Sequence, residues 1–257
     1  VATVSLFTEN NYLFNMKKTA LITGASKRIG KAVTEHLAAK GWNIIIHFHS
    51  SEKSAAAFSD ELKQKYPEQF FETAKANLSD ENDIAALIPG VVSRFGIFGL
   101  LINNASVFDA GSVKETGFEL FESQIRVNLK APFFLMRDFA NICKTGNIIN
   151  FVDTRVTNNK SNFAAYSLSK KGLWELTKMA ALEFAPEIRV NAIAPGVTLA
   201  PEDKDESYLK NLAAATPMKK PGGVAPVLKS IDYILANDHL TGQLLFADGG
   251  ENLGQNI

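Results

Sequence analysis

The run Thr19-Ala20-Leu21-Ile22-Thr23, followed at once by Gly24-Ala25-Ser26-Lys27-Arg28-Ile29-Gly30 and a helical stretch, constrains the fold more than any other feature of the chain. A strand, a tight glycine turn and a helix start leave free backbone N–H groups aimed at one spot, which suits a pyrophosphate. A bare glycine turn says little, but this one has the strand before it and the helix after it. The alternation then continues. Short apolar runs at 19–23, 43–48, 70–76, 99–104, 146–152, 188–194 and 242–247 are separated by helical periodicity at 29–40, 52–65, 80–94, 118–143, 163–184 and 224–236. This pattern predicts βαβ units and hence an α/β, doubly wound fold with a seven-stranded parallel sheet flanked by helices.

A chain of 257 residues with 46% hydrophobic content suffices for one large α/β domain. Because Met16-Lys17-Lys18 directly precedes the first strand, the expectation is a single domain over 16–257, with 1–15 an N-terminal extension outside the fold. The extension lacks the basic start of a signal peptide. Lys plus Arg equals Asp plus Glu at 27 each, so no basic footprint points to nucleic acid or to a membrane surface. A small-molecule partner is the better default. No apolar run reaches the roughly 18 residues of a membrane span. The only cysteine, Cys143, rules out an intrachain disulfide framework and a Cys-rich zinc site, and fits a reducing, cytoplasmic setting. The least regular stretch after the N-terminus is Val197–Lys220, with Pro201, an acidic cluster and Pro217. Following a strand of such a sheet, it is a candidate lid over the ligand.

Arg28 occupies the middle of the glycine loop, a cation beside the place where an adenosine ribose would sit. The second strand ends in His47-Phe48-His49-Ser50-Ser51, with no acidic residue to accept from a ribose 2′-hydroxyl. NADP is therefore favoured over NAD. Arg28 can pair with a 2′-phosphate, and Ser50 or Ser51 can donate to it. His47 and His49 alternate along the strand, but without a third ligand nearby no metal is expected.

Tyr166 and Lys170 are spaced four apart in a helical stretch and so lie on one face. The Lys ammonium near the phenol is expected to favour its ionised form, tuning it as a general acid. Taken with TGASKRIG, Asn103-Asn104-Ala105-Ser106, Asn128, Tyr166-Ser167-Leu168-Ser169-Lys170 and Pro195-Gly196, all in order, the chain resembles the short-chain dehydrogenase/reductase family over about residues 17–250. The Arg in the glycine loop, the IHFHS strand end, Phe108 after the NNAS run, and Asp153 where the family has its catalytic Ser together resemble the pteridine reductase branch, including dihydromonapterin reductase-like proteins.

The resemblance implies a Rossmann-fold homotetramer using NADPH. By it, Gly24, Arg28, Ile29, His49 and Ser50 bind the pyrophosphate and adenosine end, Asn77 and Leu78 the adenine, and Asn104, Ala105 and Ser106 the central ribose and pyrophosphate. Tyr166 and Lys170 hold the nicotinamide ribose, and Pro195, Gly196, Val197 and Thr198 lie against the nicotinamide. Asn128 keeps a helix open for a water that links Lys170 to solvent. Two positions depart from the branch: Ser50 stands where many pteridine reductases carry a basic residue, and Asn77 where an acidic one is usual.

Reduction of a carbonyl creates an alkoxide, which wants hydrogen-bond donors, and an ionised carboxylate in place of a Ser hydroxyl repels that charge. Asp153 thus argues against a plain ketone. A ring C=N instead takes its proton at nitrogen, and an aminopyrimidine ring offers N–H donors that a carboxylate accepts. Burial would also let Asp153 share a proton with Tyr166. Phe108 is placed to stack on a flat substrate, with Ser106, Asp153 and Tyr166 as its other contacts. The expected function is hydride transfer from NADPH to a pterin or dihydrofolate-like ring. The alternatives are a carbonyl reductase acting on 3-oxoacyl or sugar substrates, and a non-catalytic NADP-binding protein.

Overall fold

The computed structural model describes residues 18–200 and 205–253. The extension at 1–15, Met16, and Pro201 with the start of the acidic cluster lie outside these. The strands are β1 (Thr19–Ile22), β2 (Asn43–Phe48), β3 (Phe71–Lys75), β4 (Leu100–Asn103), β5 (Gly146–Phe151), β6 (Ile188–Pro195) and β7 (Leu244–Ala247). The helices are α1 (Arg28–Ala38), α2 (Glu52–Lys65), α3 (Glu81–Phe95), α4 (Phe118–Ile125), α5 (Ala131–Cys143), α6 (Ala164–Phe184), α7 (Glu206–Ala214) and α8 (Ala225–Ala236). The strands form one seven-stranded parallel sheet in the order β3-β2-β1-β4-β5-β6-β7. This is the doubly wound arrangement expected from the sequence.

The apolar runs became strands because a parallel sheet covered by helices buries both faces. Leu21, Ile22, Ile44, Ile45, Ile46, Leu100 and Leu101 are all fully buried. β1 pairs with β2 on one side, Ala20 opposite Ile44, and with β4 on the other, Ala20 opposite Leu100. The strand order therefore reverses at β1, and in open α/β sheets the crevice beyond the carboxyl ends at that point holds the ligand.

The chain packs as two compact units. The first comprises the described residues through Asn104 with Phe134–Ile148 and Pro186–Ile188; the second comprises Ala105–Phe133, Ile149–Ala185 and the described residues from Arg189 onward. In the first, Phe98 and Phe139 meet at 5.2 Å between ring centroids. In the second, Val152, Leu173, Ala192 and Ala194 form a core against which Leu129, Trp174 and Phe246 pack. No helix among the described residues is long and apolar enough to cross a membrane.

Two expectations need correction. The single helix foreseen over 118–143 is interrupted by a π-helical turn at Arg126–Lys130. Apolar periodicity does not register the extra residue, because the turn is opened by polar contacts of Asn128 to groups distant in sequence. Within the stretch read as irregular, Val197–Lys220, lies α7. Its start is fixed by Asp205, whose carboxylate accepts from the backbone N–H groups of Ser207 and Tyr208. Asp205 belongs to the acidic cluster taken as a sign of a loop, but an Asp before a short helix is an N-cap.

Candidate active site

In the first unit the glycine turn is held from two sides. The Gly24 N–H donates to Nδ1 of His47 at 3.0 Å, while Nε2 of the same ring lies 3.1 Å from the Ala76 carbonyl. Burial, with His49 nearby acting the same way and the Ala76 bond opposing it, pushes the His47 pKa down to about 4. The ring is therefore neutral, with its hydrogen on Nε2. Asn104 closes the other side: its Nδ2 donates to the carbonyls of Thr23 and Gly24, and its backbone N–H to Thr23 Oγ1. Packing is so tight at Gly30 that an added Cβ would stand 2.1 Å from the Gly24 oxygen. Gly24 has φ 63° and Arg28 φ 51°. A non-glycine residue in the left-handed region costs about 1 kcal/mol or more, so the loop holds its cation at the expense of backbone strain.

His49 and Ser50 are exposed at the end of β2, and Ser51 Oγ lies 3.3 Å from Ser26 Oγ in the loop. Asn77 is committed locally. Its Oδ1 accepts from the N–H and hydroxyl of Ser79, and its own N–H donates to Asp83. Leu78 beside it is buried.

In the second unit, Asp153 follows the end of β5 and caps a short 3-10 turn, Thr154–Thr157. Its Oδ1 accepts from the Arg155 N–H at 2.8 Å, and its Oδ2 from the Tyr166 hydroxyl at 2.8 Å. One turn along α6, Lys170 Nζ lies 5.7 Å from the centre of the Tyr166 ring and donates to the Phe151 carbonyl at 2.8 Å. Burial, followed by the charge of Asp153 and the hydrogen bond to it, raises the Tyr166 pKa well above its ordinary value, with Arg155 opposing. Burial also lowers the Lys170 pKa to about 8, against the pull of Asp153. The expected lowering of the phenol's pKa by Lys170 is thus corrected. Asp153 is in direct contact with the hydroxyl, whereas the lysine is not, so the phenol keeps its proton.

Asn128, at the π turn, gathers the Ser106–Val107 segment. Its Oδ1 accepts from Ser106 Oγ and Val107 N–H, and its Nδ2 reaches the Val107 carbonyl, Gln124 Oε1 and Ser169 Oγ. Phe108 stacks on Phe163 at 4.2 Å with the rings nearly parallel, and meets Tyr166 edge-on at 4.6 Å. It is still 54% exposed, which leaves surface for a ligand. Arg155 lies 4.7 Å above the Phe163 ring. Past β6, Gly196 approaches Asp248 so closely that a Cβ would come within 2.5 Å of the Asp248 Cα. Pro195 pairs with Ala247, and the Val197 carbonyl accepts from Gly222 N–H. Ala105 leads into Ser106, while Thr198 is half-buried, as is Ile29 behind the glycine loop.

The model of the family described as short chain dehydrogenase matches residues 18–208. The chain belongs to that family. As a short-chain dehydrogenase it is similar to the FolM alternative dihydrofolate reductase 1 from Brucella canis, solved with NADP, with a TM-score of 0.85 and 32% identity over 93% of this chain and 96% of that one. It is 28% identical to the 3-oxoacyl-[acyl-carrier-protein] reductase FabG of Staphylococcus aureus strain Mu50, over 91% of this chain and 98% of the relative. To pteridine reductase 1 of Leishmania tarentolae it is also 28% identical, over 91% and 96%.

Two parts of this short-chain dehydrogenase's site escaped the sequence reading. His47 was weighed only as a metal ligand, yet it ties the glycine loop to the strand behind it. The signal was there in a histidine that interrupts the apolar run IIIHF. The Arg155–Phe163–Phe108 stack left no comparable trace, since its members are far apart in sequence.

Proposed function

We propose that the protein is an NADPH-dependent reductase of pterin or dihydrofolate-like rings. The observation that carries this reading is the bond from the Tyr166 hydroxyl to Asp153 Oδ2. A carboxylate in contact with the proton-delivering phenol suits a substrate whose nitrogen is protonated and whose ring N–H groups need an acceptor. It is a poor neighbour for a developing alkoxide. The FolM and pteridine reductase relatives support the same substrate class.

The residues present fit a dinucleotide. The glycine loop has no room for a Cβ at Gly30, and Arg28 offers a cation to a 2′-phosphate. When bound, NADPH supplies the hydride. The chain does the rest: His47 and Asn104 hold the loop, Lys170 fixes the end of β5 near Tyr166, and Tyr166 with Asp153 holds the proton for the ring nitrogen. Phe108 stacks on the ring, and Ser106, fixed by Asn128, borders it. Assembly as a homotetramer would cover the apolar outer residues Phe118, Leu168, Met179 and Leu182 of α4 and α6.

The test is NADPH oxidation with dihydrobiopterin, dihydromonapterin or dihydrofolate against a panel of ketones that includes 3-oxoacyl thioesters. Turnover of the rings is expected. Turnover of ketones alone would replace this reading with the carbonyl reductase that the FabG relative suggests.

A further inference from the structure

Phe108 stands in a strap, residues 106–111, that the second unit fastens along its length. At one end Ser106 Oγ and the Val107 N–H donate to Asn128 Oδ1 at 3.0 and 2.9 Å. At the other the Gly111 N–H donates to the Asn162 carbonyl, and the Gly111 carbonyl accepts from the Ala164 N–H. Between them, on the residue directly after Phe108, Asp109 Oδ2 accepts from Nε2 of Gln124 at 3.0 Å. Gln124 belongs to none of the motifs. It is fully buried all the same, and among the described residues of α4 no other is.

A surface helix ordinarily buries apolar side chains, and an amide is tolerated in such a position where both of its ends are bonded. Here the polarity of the bonds is forced. A backbone N–H can only donate, so the Val107 contact turns the oxygen of Asn128 to the strap and its nitrogen towards Gln124 Oε1, at 3.2 Å. The nitrogen of Gln124 is thereby left for Asp109, and a carboxylate is the acceptor it needs. Asn128 Nδ2 also donates to Ser169 Oγ at 3.1 Å, and the Ser169 hydroxyl to the Tyr166 carbonyl at 2.7 Å. One run of side-chain bonds joins the residue after Phe108 to the backbone of the tyrosine.

We propose that Gln124 is a positioning residue for the substrate: by holding Asp109 it sets the plane of the Phe108 ring, and with it the fit of a flat substrate. This rests on the ring-reducing reading above, in which Phe108 stacks on that substrate. The ring contacts of Phe108 with Phe163 and Tyr166 tolerate several offsets, whereas a hydrogen bond to the neighbouring residue fixes where the backbone stands. A side chain 54% exposed is held by that bond before the substrate arrives, which spares the substrate the work of ordering it. Being fully buried, Gln124 meets no ligand itself. Its loss therefore falls on the KM for the substrate and not on kcat or on the cofactor.

The experiment uses the full chain with NADPH and whichever substrate, ring or ketone, the wild type reduces. Failure of the ring reading then shows in the substrate panel, and failure of the Gln124 reading in the variants alone. In Gln124→Glu a second carboxylate faces Asp109, and the substrate KM is expected to rise about tenfold, the effect of one ordered side chain set loose, with kcat and the KM for NADPH near their wild-type values. Adding Asp109→Asn reverses the polarity of the bond, since an amide at 109 donates to a carboxylate at 124, and should return the substrate KM towards that of the wild type. Gln124→Met, which keeps the length of the side chain and loses both bonds, is expected to show the same split without a new charge. In a Phe108→Ala background, where there is no ring to place, Gln124→Glu should add nothing further. A wild-type substrate KM in Gln124→Glu and Gln124→Met overturns the proposal. So do equal losses for substrate and NADPH, a loss that Asp109→Asn fails to reverse, or one that persists undiminished in the Phe108→Ala background.

Discussion

The Tyr166 hydroxyl donates to Oδ2 of Asp153 at 2.8 Å, while the other carboxylate oxygen, Oδ1, accepts from the Arg155 N–H. One side chain thus caps a turn of the backbone and fixes the phenol. The consequence is a tyrosine that stays protonated, with Lys170 serving the adjacent strand end and not the phenol directly.

Restoring the hydroxyl tests the role of that carboxylate. In Asp153→Ser, kcat for a dihydropterin is expected to fall about 100-fold, the scale of a lost acid–base group. Ketone reduction should rise above its wild-type level, because a donor has replaced the repelling charge. Steady-state kinetics on both substrate classes decide the matter, and an unchanged ratio of the two activities would remove Asp153 from substrate selection.

Arg28 has φ 51°, which glycine adopts without strain. Arg28→Gly is therefore expected to leave thermal stability unchanged or slightly higher. The KM for NADPH should rise about tenfold, the worth of one charge-assisted bond, and that for NADH should not change. An equal rise for both cofactors would place Arg28 at the shared pyrophosphate.

His47 makes the fold sensitive to acid. Its folded pKa of about 4 lies below the ordinary 6.5, so between these values the unfolded chain binds a proton that the native ring refuses. Its contribution, about 3 kcal/mol, is fully present above pH 6.5 and is lost as the pH falls through 4. His47→Asn, which keeps an acceptor for the Gly24 N–H, should flatten that slope. Urea unfolding at pH 7, 5.5 and 4.5 measures it.

Lys170 has the same sign at higher pH. With a folded pKa of about 8 against an ordinary 10.5, stability rises as the pH climbs between them, and below 8 the buried ammonium imposes its full cost. Lys170→Met should be inactive, yet more stable than the wild type at pH 7 by about 2 kcal/mol after loss of the bond to the Phe151 carbonyl. That gap should close towards pH 10.5. A variant less stable than the wild type at pH 7 would contradict the burial cost.

The sequence by itself determined the architecture and singled out the candidate site residues. β2 and α2 stand at the bounds read from apolar periodicity alone, because a strand buried on both faces and an amphipathic helix each write their environment into a local pattern. The glycine loop, Asp153 and the Tyr166–Lys170 spacing were equally legible, being local runs or single departures from a motif. Only the tertiary structure decided what these residues do to one another. The protonation of Tyr166, the neutral His47 behind the glycine loop and the π turn at Asn128 all arise between residues distant in sequence. Charge, burial and hydrogen bonding depend on separation in space, and a periodicity of one chain segment carries no record of it.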